Sequence, residues 1–536
     1  MSKLKLRALL GVSILAASAA LAASASAGEI YGGGSSLIAP YWRQLGDCYG
    51  TDEQTFASGT TPVLEVVVSS VCGSPLTSDT VGYISTGSGT GLTSIGTHNP
   101  SSLGDTFDNA ATSADDTTVN LFPRVSYALS ENALTAANVN AYNNGGSFGS
   151  ATVPTGGIDQ IYGKVVQFPV AVAPVAIAFD PVYKKTADAT GAVTSYSLQF
   201  GTASGKLELS REAYCKIFNG EITDWNDPIL SALGVSGDPT DPAAFTAPIT
   251  LAGRRDSSGT SGLFTRHLAS ICGPLATTNR YNDGGSTLLS ALTAAGKIAL
   301  IDADNNGVAD FVYNKALGNR TVLGTPGFYV VADGSDGVAK YLAFSENPAA
   351  NATLTQARVG YVGNDYTLPG SANSGFNFNL QAAVLENKNA VYFEPTPDNA
   401  TLAFSASAPP ALADRADPTK WAQPATKAAP LADPDDGYPI IGTVNWVSYS
   451  CYANASDVAV ITNSGSGILD LLNDPLVADP STGILPRVGL AAIPSDWFSA
   501  ISETFLDQTD PQGLGLTISP VGGSATNAAC SSLAGA

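Results

Sequence analysis

The stretch VVQFPVAVAPVAIAFD, residues 165–180, is apolar almost from end to end and reads as a buried β-strand. LEVVVSSV (64–71) reads the same way. Outward from these, LSREAYCKIFNG (209–220) has the apolar spacing of a helix, with Ser210 placed to cap it and Gly220 to end it. GILDLLNDP (467–475) reads as a second short helix. Short β-rich runs alternating with helical ones indicate an α/β protein. ADRADPTKWAQPATKAAPLADPDDGYP (413–439) is rich in Pro, Ala and Asp and reads as a surface loop or linker.

The first 27 residues read as an export signal. Lys3, Lys5 and Arg7 precede an apolar run from Leu9 to Ala23, and Ala25-Ser26-Ala27 is a small-residue cleavage site. That run is short and Ala-rich for a spanning helix, and no later segment has the apolar length to span a membrane. The expectation is a periplasmic or secreted protein that is not membrane-embedded. About 509 mature residues exceed one compact core and suggest at least two domains. Loss of three basic signal residues takes the formal charge from −21 to −24. A chain this acidic repels nucleic acid and anionic lipid, so any anion it binds must be held by local donors. Cys48, Cys72, Cys215, Cys272, Cys451 and Cys530 allow fifteen pairings, of which nearest neighbours (48–72, 215–272, 451–530) are preferred. His98 and His267 are too far apart in sequence to suggest a metal pair.

GRRDSSGTSGLFTRHL (253–268) carries the chemistry. Leu263, Phe264, Leu268 and Ile271 recur at helical spacing, which places Ser258-Gly259-Thr260 at a helix start. The first N–H groups of a helix lack internal acceptors and carry partial positive charge. Gly259 lets an anion come close to the backbone, Ser258 and Thr260 add hydroxyls, and Arg254 can grip a tetrahedral oxyanion with two parallel bonds. Arg255 reads as exposed. YGGGSSLIAPYWRQ (31–44) and YISTGSGTG (83–91) repeat the pattern of a small, hydroxyl-rich turn. In DADNNGVAD (302–310), Asp302, Asp304, Asn306 and Asp310 have the alternate spacing of a structural calcium loop, with Gly307 at the turn, although Tyr313 stands where such loops place Glu. No other cofactor is called for.

The order of these motifs resembles the phosphate-binding protein of bacterial high-affinity phosphate ABC transporters and its exported DING relatives. The matching segments are GGGSSLIAP (32–40), YISTGSGTG (83–91), GKVVQFPVAVAPVAIAFD (163–180), LSREAYCKIFNGEITDWNDPIL (209–230), GRRDSSGTSGLFTRHL, RVGYVGNDYTL (358–368) and YPIIGTVNW (438–446). The resemblance implies a type II periplasmic-binding-protein fold, with two lobes joined by a two-strand hinge. Lobe one would hold residues 28–165 and 370–536, and lobe two residues 166–369. The extra length would lie near 95–125, 275–350 and 370–435. It also implies inorganic phosphate in the cleft, held by Ser36, Leu37, Ser88, Glu131, Arg254, Ser258, Gly259 and Thr260, with Asp256 orienting Arg254. Glu131, from YALSENAL (127–134), stands where the family has an Asp that accepts a hydrogen bond from the proton on phosphate and so rejects sulfate. The implied partner is an ABC transporter permease, and the implied state is a monomeric binding protein rather than an enzyme. Some DING-like proteins are associated with phosphatase activity, which is the alternative.

Overall fold

The computed structural model describes residues 27–50, 72, 74–104, 121–186, 193–241, 244–254, 256–277, 281, 329–332, 334–343, 357–368, 380–424, 426–462 and 466–536. The signal residues 1–26, the 64–71 run, Arg255 and the calcium-type loop at 302–310 lie outside these.

Among the described residues the main sheet has nine strands, eight of them on one continuous path: β1 (Glu29–Gly34), β2 (Thr80–Ser85), β3 (Tyr127–Ser130), β4 (Val165–Phe179), β5 (Thr250–Arg254), β6 (Tyr329–Ala332), β7 (Arg358–Gly363) and β8 (Ile441–Tyr449). Their spatial order is β6-β5-β7-β4-β8-β3-β1-β2. The outer groups are parallel: β1 pairs with β2 and β3, and β5 with β6 and β7. The two central strands run antiparallel to their neighbours. β4, buried along its whole length, joins the two groups. Its residues Val165–Pro174 pair with β8, and Val175–Phe179 pair with β7.

Two prolines inside this strand sit where its ladder is already broken. Pro169 lies at the register shift opposite Val444/Asn445, and Pro174 is the last residue paired with β8 before β4 changes partner. Proline has no N–H to give to a ladder, so such positions are the ones it tolerates. Gln381–Ala382 pairs with the end of β4, and Val384–Glu386 pairs with Glu208–Leu209. These residues, which the expected boundaries group with lobe one, therefore pair beside the second half of the sheet.

Five helices matter for the site: α1 (Ala39–Tyr49), α2 (Ser88–Thr97), α3 (Arg211–Phe218), α4 (Gly259–Ile271) and α5 (Gly334–Leu342). α3 starts where expected, with Ser210 Oγ accepting from Ala213 N at 3.2 Å, and Gly220 follows it at φ +69°. The helix expected at 467–475 is shorter, a 3-10 turn over Asp470–Asn473 followed by one helical turn at Pro475–Ala478. All three nearest-neighbour disulfides are present, Cys48–Cys72, Cys215–Cys272 and Cys451–Cys530. The second joins α3 to the residue after α4. Among the described residues, no helix is long and apolar enough to cross a membrane.

The segment at 413–439 is not a linker. Trp421, Leu431 and Tyr438 are buried, and the ring of Trp421 packs on Phe505 and Trp497. Gln167 Nε2 donates to Pro418 O at 2.8 Å, and the buried Arg266 donates to Leu431 O at 3.3 Å and Ile441 O at 2.8 Å. A few large apolar anchors outweigh the Pro/Ala/Asp composition, because each buries far more area than the small residues around it.

His267, on α4, faces the same segment. Its Nδ1 must donate to Ala432 O at 2.8 Å, and in the neutral ring that burial favours, Nε2 accepts from Tyr214 OH at 3.0 Å. Burial pushes its pKa from 6.5 down to about 4. Asp433 and the Ala432 bond oppose that shift, and Arg211 and Arg266 assist it. The unfolded chain takes up this proton at a higher pH than the folded one. Stability contributed by neutral His267 is therefore present above pH 6.5 and is lost as pH falls toward 4, at up to about 1.4 kcal/mol per pH unit. Urea unfolding of the wild type should lose more stability between pH 7 and pH 5 than a His267→Asn variant does. Equal losses in the two proteins would show that His267 titrates normally in the fold.

Candidate functional site

β1, β2, β3 and β5 all deliver the chain to one region at their carboxyl ends. β1 has β2 on one side and β3 on the other, and β5 has β6 and β7. Chain connections diverge at such points, leaving a crevice lined by loops and helix starts. β1 leads through Ser35, Ser36 and Leu37 into α1; β2 leads through Thr86 and Gly87 into α2; β3 ends at Ser130 beside Glu131; β5 ends at Arg254 and leads into α4.

The two halves touch at these strand ends. Gly89 N donates to Ser257 O at 3.2 Å. A Cβ on Gly259 would stand 2.3 Å from Glu131 Oε2 and 2.7 Å from Ser88 Oγ, so α4 can begin here only with glycine. A Cβ on Gly87, which sits at φ +91°, would meet Ser257 O at 2.9 Å and Asp256 Oδ2 at 3.0 Å. Ser258 caps α4, its Oγ accepting from Ser261 N at 3.2 Å.

Glu131 is 5% exposed and accepts from two hydroxyls, Ser35 Oγ on Oε1 and Ser88 Oγ on Oε2. Arg254 is 1% exposed. Its Nε donates to Asp256 Oδ1 at 2.6 Å, its Nη2 to Asp256 Oδ2, and its Nη1 to Ser335 Oγ at 3.1 Å. Asp256 is itself held by Gly334 N, at 3.1 Å, from the start of α5. A guanidinium has five N–H donors. These bonds use three and leave one on each terminal nitrogen, the arrangement that can take two oxygens of one anion. Burial works against the Arg254 charge, but the Asp256 bonds and charge outweigh it and hold its pKa above the usual value.

The structure thus gathers Glu131, Ser88, Gly259 and Ser258 around one point, with Arg254 and Asp256 at the end of the adjoining strand. Leu37 is buried and lies 3.3 Å, through Cγ, from a Cβ built on Gly363 at the end of β7. Thr260 is buried in the first turn of α4. Ser36 Oγ and Thr86 Oγ1 are buried without a hydrogen-bond partner, an uncommon state for a buried hydroxyl. Four contributors stand outside the set expected from the motifs: Ser35, Thr86, Ser335 and Tyr361. Tyr361 OH accepts from Arg254 N at 3.2 Å and bonds Ser261 Oγ at 2.6 Å. Ser35 has a visible signal, since it is the neighbour of Ser36 in the same Ser-Ser turn.

A family model described as a PBP superfamily domain matches residues 20–368. A phosphate-binding protein from an unknown prokaryotic organism is 26% identical over 345 residues, which span 63% of this chain and 77% of that protein. Alkaline phosphatase L of Pseudomonas aeruginosa is 27% identical over 389 residues, spanning 72% of this chain and 73% of that protein. A solved high-affinity periplasmic phosphate-binding protein of the DING type, with phosphate bound, aligns over 91% of this chain and 96% of its own at TM-score 0.51 and 20% identity. The architecture is the type II periplasmic-binding-protein fold expected from the motif order. With the family model matched over residues 20–368, the chain belongs to the PBP superfamily.

Proposed function

We propose that this protein captures inorganic phosphate between the two halves of its sheet, which act as lobes hinged on β4 and β8. Arg254 supplies the positive charge, and the N–H groups and hydroxyls at the starts of α1, α2 and α4 supply the remaining donors. Glu131 accepts a hydrogen bond from the proton that phosphate carries at neutral pH. The observation that carries this reading is the meeting of Glu131, Ser88 and Gly259 from opposite halves beside a buried Arg254 that keeps two N–H groups unused. Exported to the periplasm or secreted, the protein would act as a monomer in scavenging phosphate or passing it to an ABC transporter permease.

A second reading is suggested by the relatives named alkaline phosphatase L. Hydrolysis needs an activated nucleophile or a metal-bound water. His267 is bonded to Tyr214 and Ala432, and His98 Nδ1 to Tyr449 OH at 2.9 Å, so neither is placed beside Ser88 or Ser258. Equilibrium dialysis with radiolabelled phosphate, run beside a chromogenic phosphoester assay, separates the two. Saturable retention of phosphate without ester turnover supports capture. Turnover that is lost in a Ser88→Ala or Ser258→Ala variant would move the assignment to the enzyme.

A further inference from the structure

Ser35 lies at a junction that phosphate capture alone does not explain. It is fully buried, and its Oγ does two things. It accepts from Ile38 N, at the start of α1, at 3.4 Å, and it donates to Glu131 Oε1. The rest of the residue is also tied down: its N–H donates to Leu129 O at 2.9 Å and its carbonyl accepts from Tyr83 OH at 2.7 Å. Ser88 Oγ holds the other oxygen of the same carboxylate. Both oxygens of Glu131 are therefore bound by hydroxyls from separate turns, at the ends of β1 and β2.

We propose that Ser35 is a positioning residue for anion selectivity, acting through Glu131. The inference rests on the phosphate-capture reading. A glutamate side chain has three rotatable bonds, so a buried glutamate beside an anion can swing away unless both oxygens are fixed. So fixed, the Glu131 carboxylate accepts a hydrogen bond from the proton of phosphate and repels sulfate, which has none to offer. Ser35 also links the carboxylate to the positive end of α1, because the hydroxyl that donates to Glu131 is polarised by the Ile38 N–H.

Loss of one charge-assisted bond should lower the phosphate-to-sulfate affinity ratio about tenfold or more. The test is a double-mutant cycle of Ser35→Ala and Glu131→Gln, read as that ratio by calorimetry at pH 6, 7 and 8, with thermal melts to confirm folding. Ser35→Ala should lower the ratio in the wild-type background, and should leave it unchanged when Glu131 is already Gln. An equal effect in both backgrounds, or none in either, would overturn the proposal, since a merely structural Ser35 would not act through the carboxylate. A wild type that binds phosphate and sulfate alike would overturn it as well. A wild type that binds neither anion would overturn the capture reading on which it stands, a separate failure.

Discussion

An Arg254→Ala variant is expected to show no measurable phosphate binding while still unfolding in one cooperative thermal transition. The chain has a formal charge of −21, so the site cannot rely on the general field to hold an anion. Arg254 is the buried cation at the end of β5, aligned by Asp256 and Ser335. Charge-assisted bonds in a closed, water-poor crevice are among the strongest in proteins, and losing two of them leaves the anion's charge uncompensated. The expected loss is roughly a thousandfold or more in affinity, since each 1.4 kcal/mol is tenfold. The fold should survive, because Asp256 keeps the Gly334 N–H and is partly exposed to water. Calorimetry and circular dichroism on the same sample read both halves of this statement. A folded variant with wild-type affinity would place the ligand elsewhere.

A Glu131→Gln variant is expected to lose most of the discrimination between phosphate and sulfate. A buried carboxylate facing an oxyanion is repulsive unless a proton lies between them. In the wild type, that repulsion should cost sulfate several kcal/mol relative to phosphate, on the order of an unpaired buried charge, or roughly a thousandfold in affinity. An amide donates as well as accepts, so Gln can satisfy sulfate, and the ratio should fall toward one. The measurement is competition of sulfate against bound phosphate for both proteins. An unchanged ratio in the variant would mean that Glu131 does not read the ligand's proton.

Much of this arrangement is legible in the amino-acid sequence, for physical reasons that differ by residue. The 165–180 run declares itself as a buried strand because it is apolar almost throughout. Its role as the strand that joins both halves does not show, since a change of pairing partner at Pro174 leaves no periodicity. Arg254, Ser258 and Gly259 are readable because a helix start needs small, hydroxyl-bearing residues near in sequence. Glu131 is readable only by motif order, and the structure brings it to Ser88 and Gly259. Ser335 is invisible: it reaches Arg254 across 81 residues of chain, and no local pattern encodes such a meeting. The 413–439 segment misleads because its composition is that of a loop, while its conformation is set by Trp421, Leu431 and Tyr438 and by carbonyls that cap a buried arginine two turns along α4.

The central claim, one phosphate held between the halves at the starts of α1, α2 and α4, is tested most directly by calorimetric titration of the mature protein with inorganic phosphate at neutral pH, with sulfate titrated in parallel. The account predicts saturation at one phosphate per chain, with affinity at least roughly a thousandfold above that for sulfate. A flat phosphate titration with folded protein, or equal binding of the two anions, would contradict it.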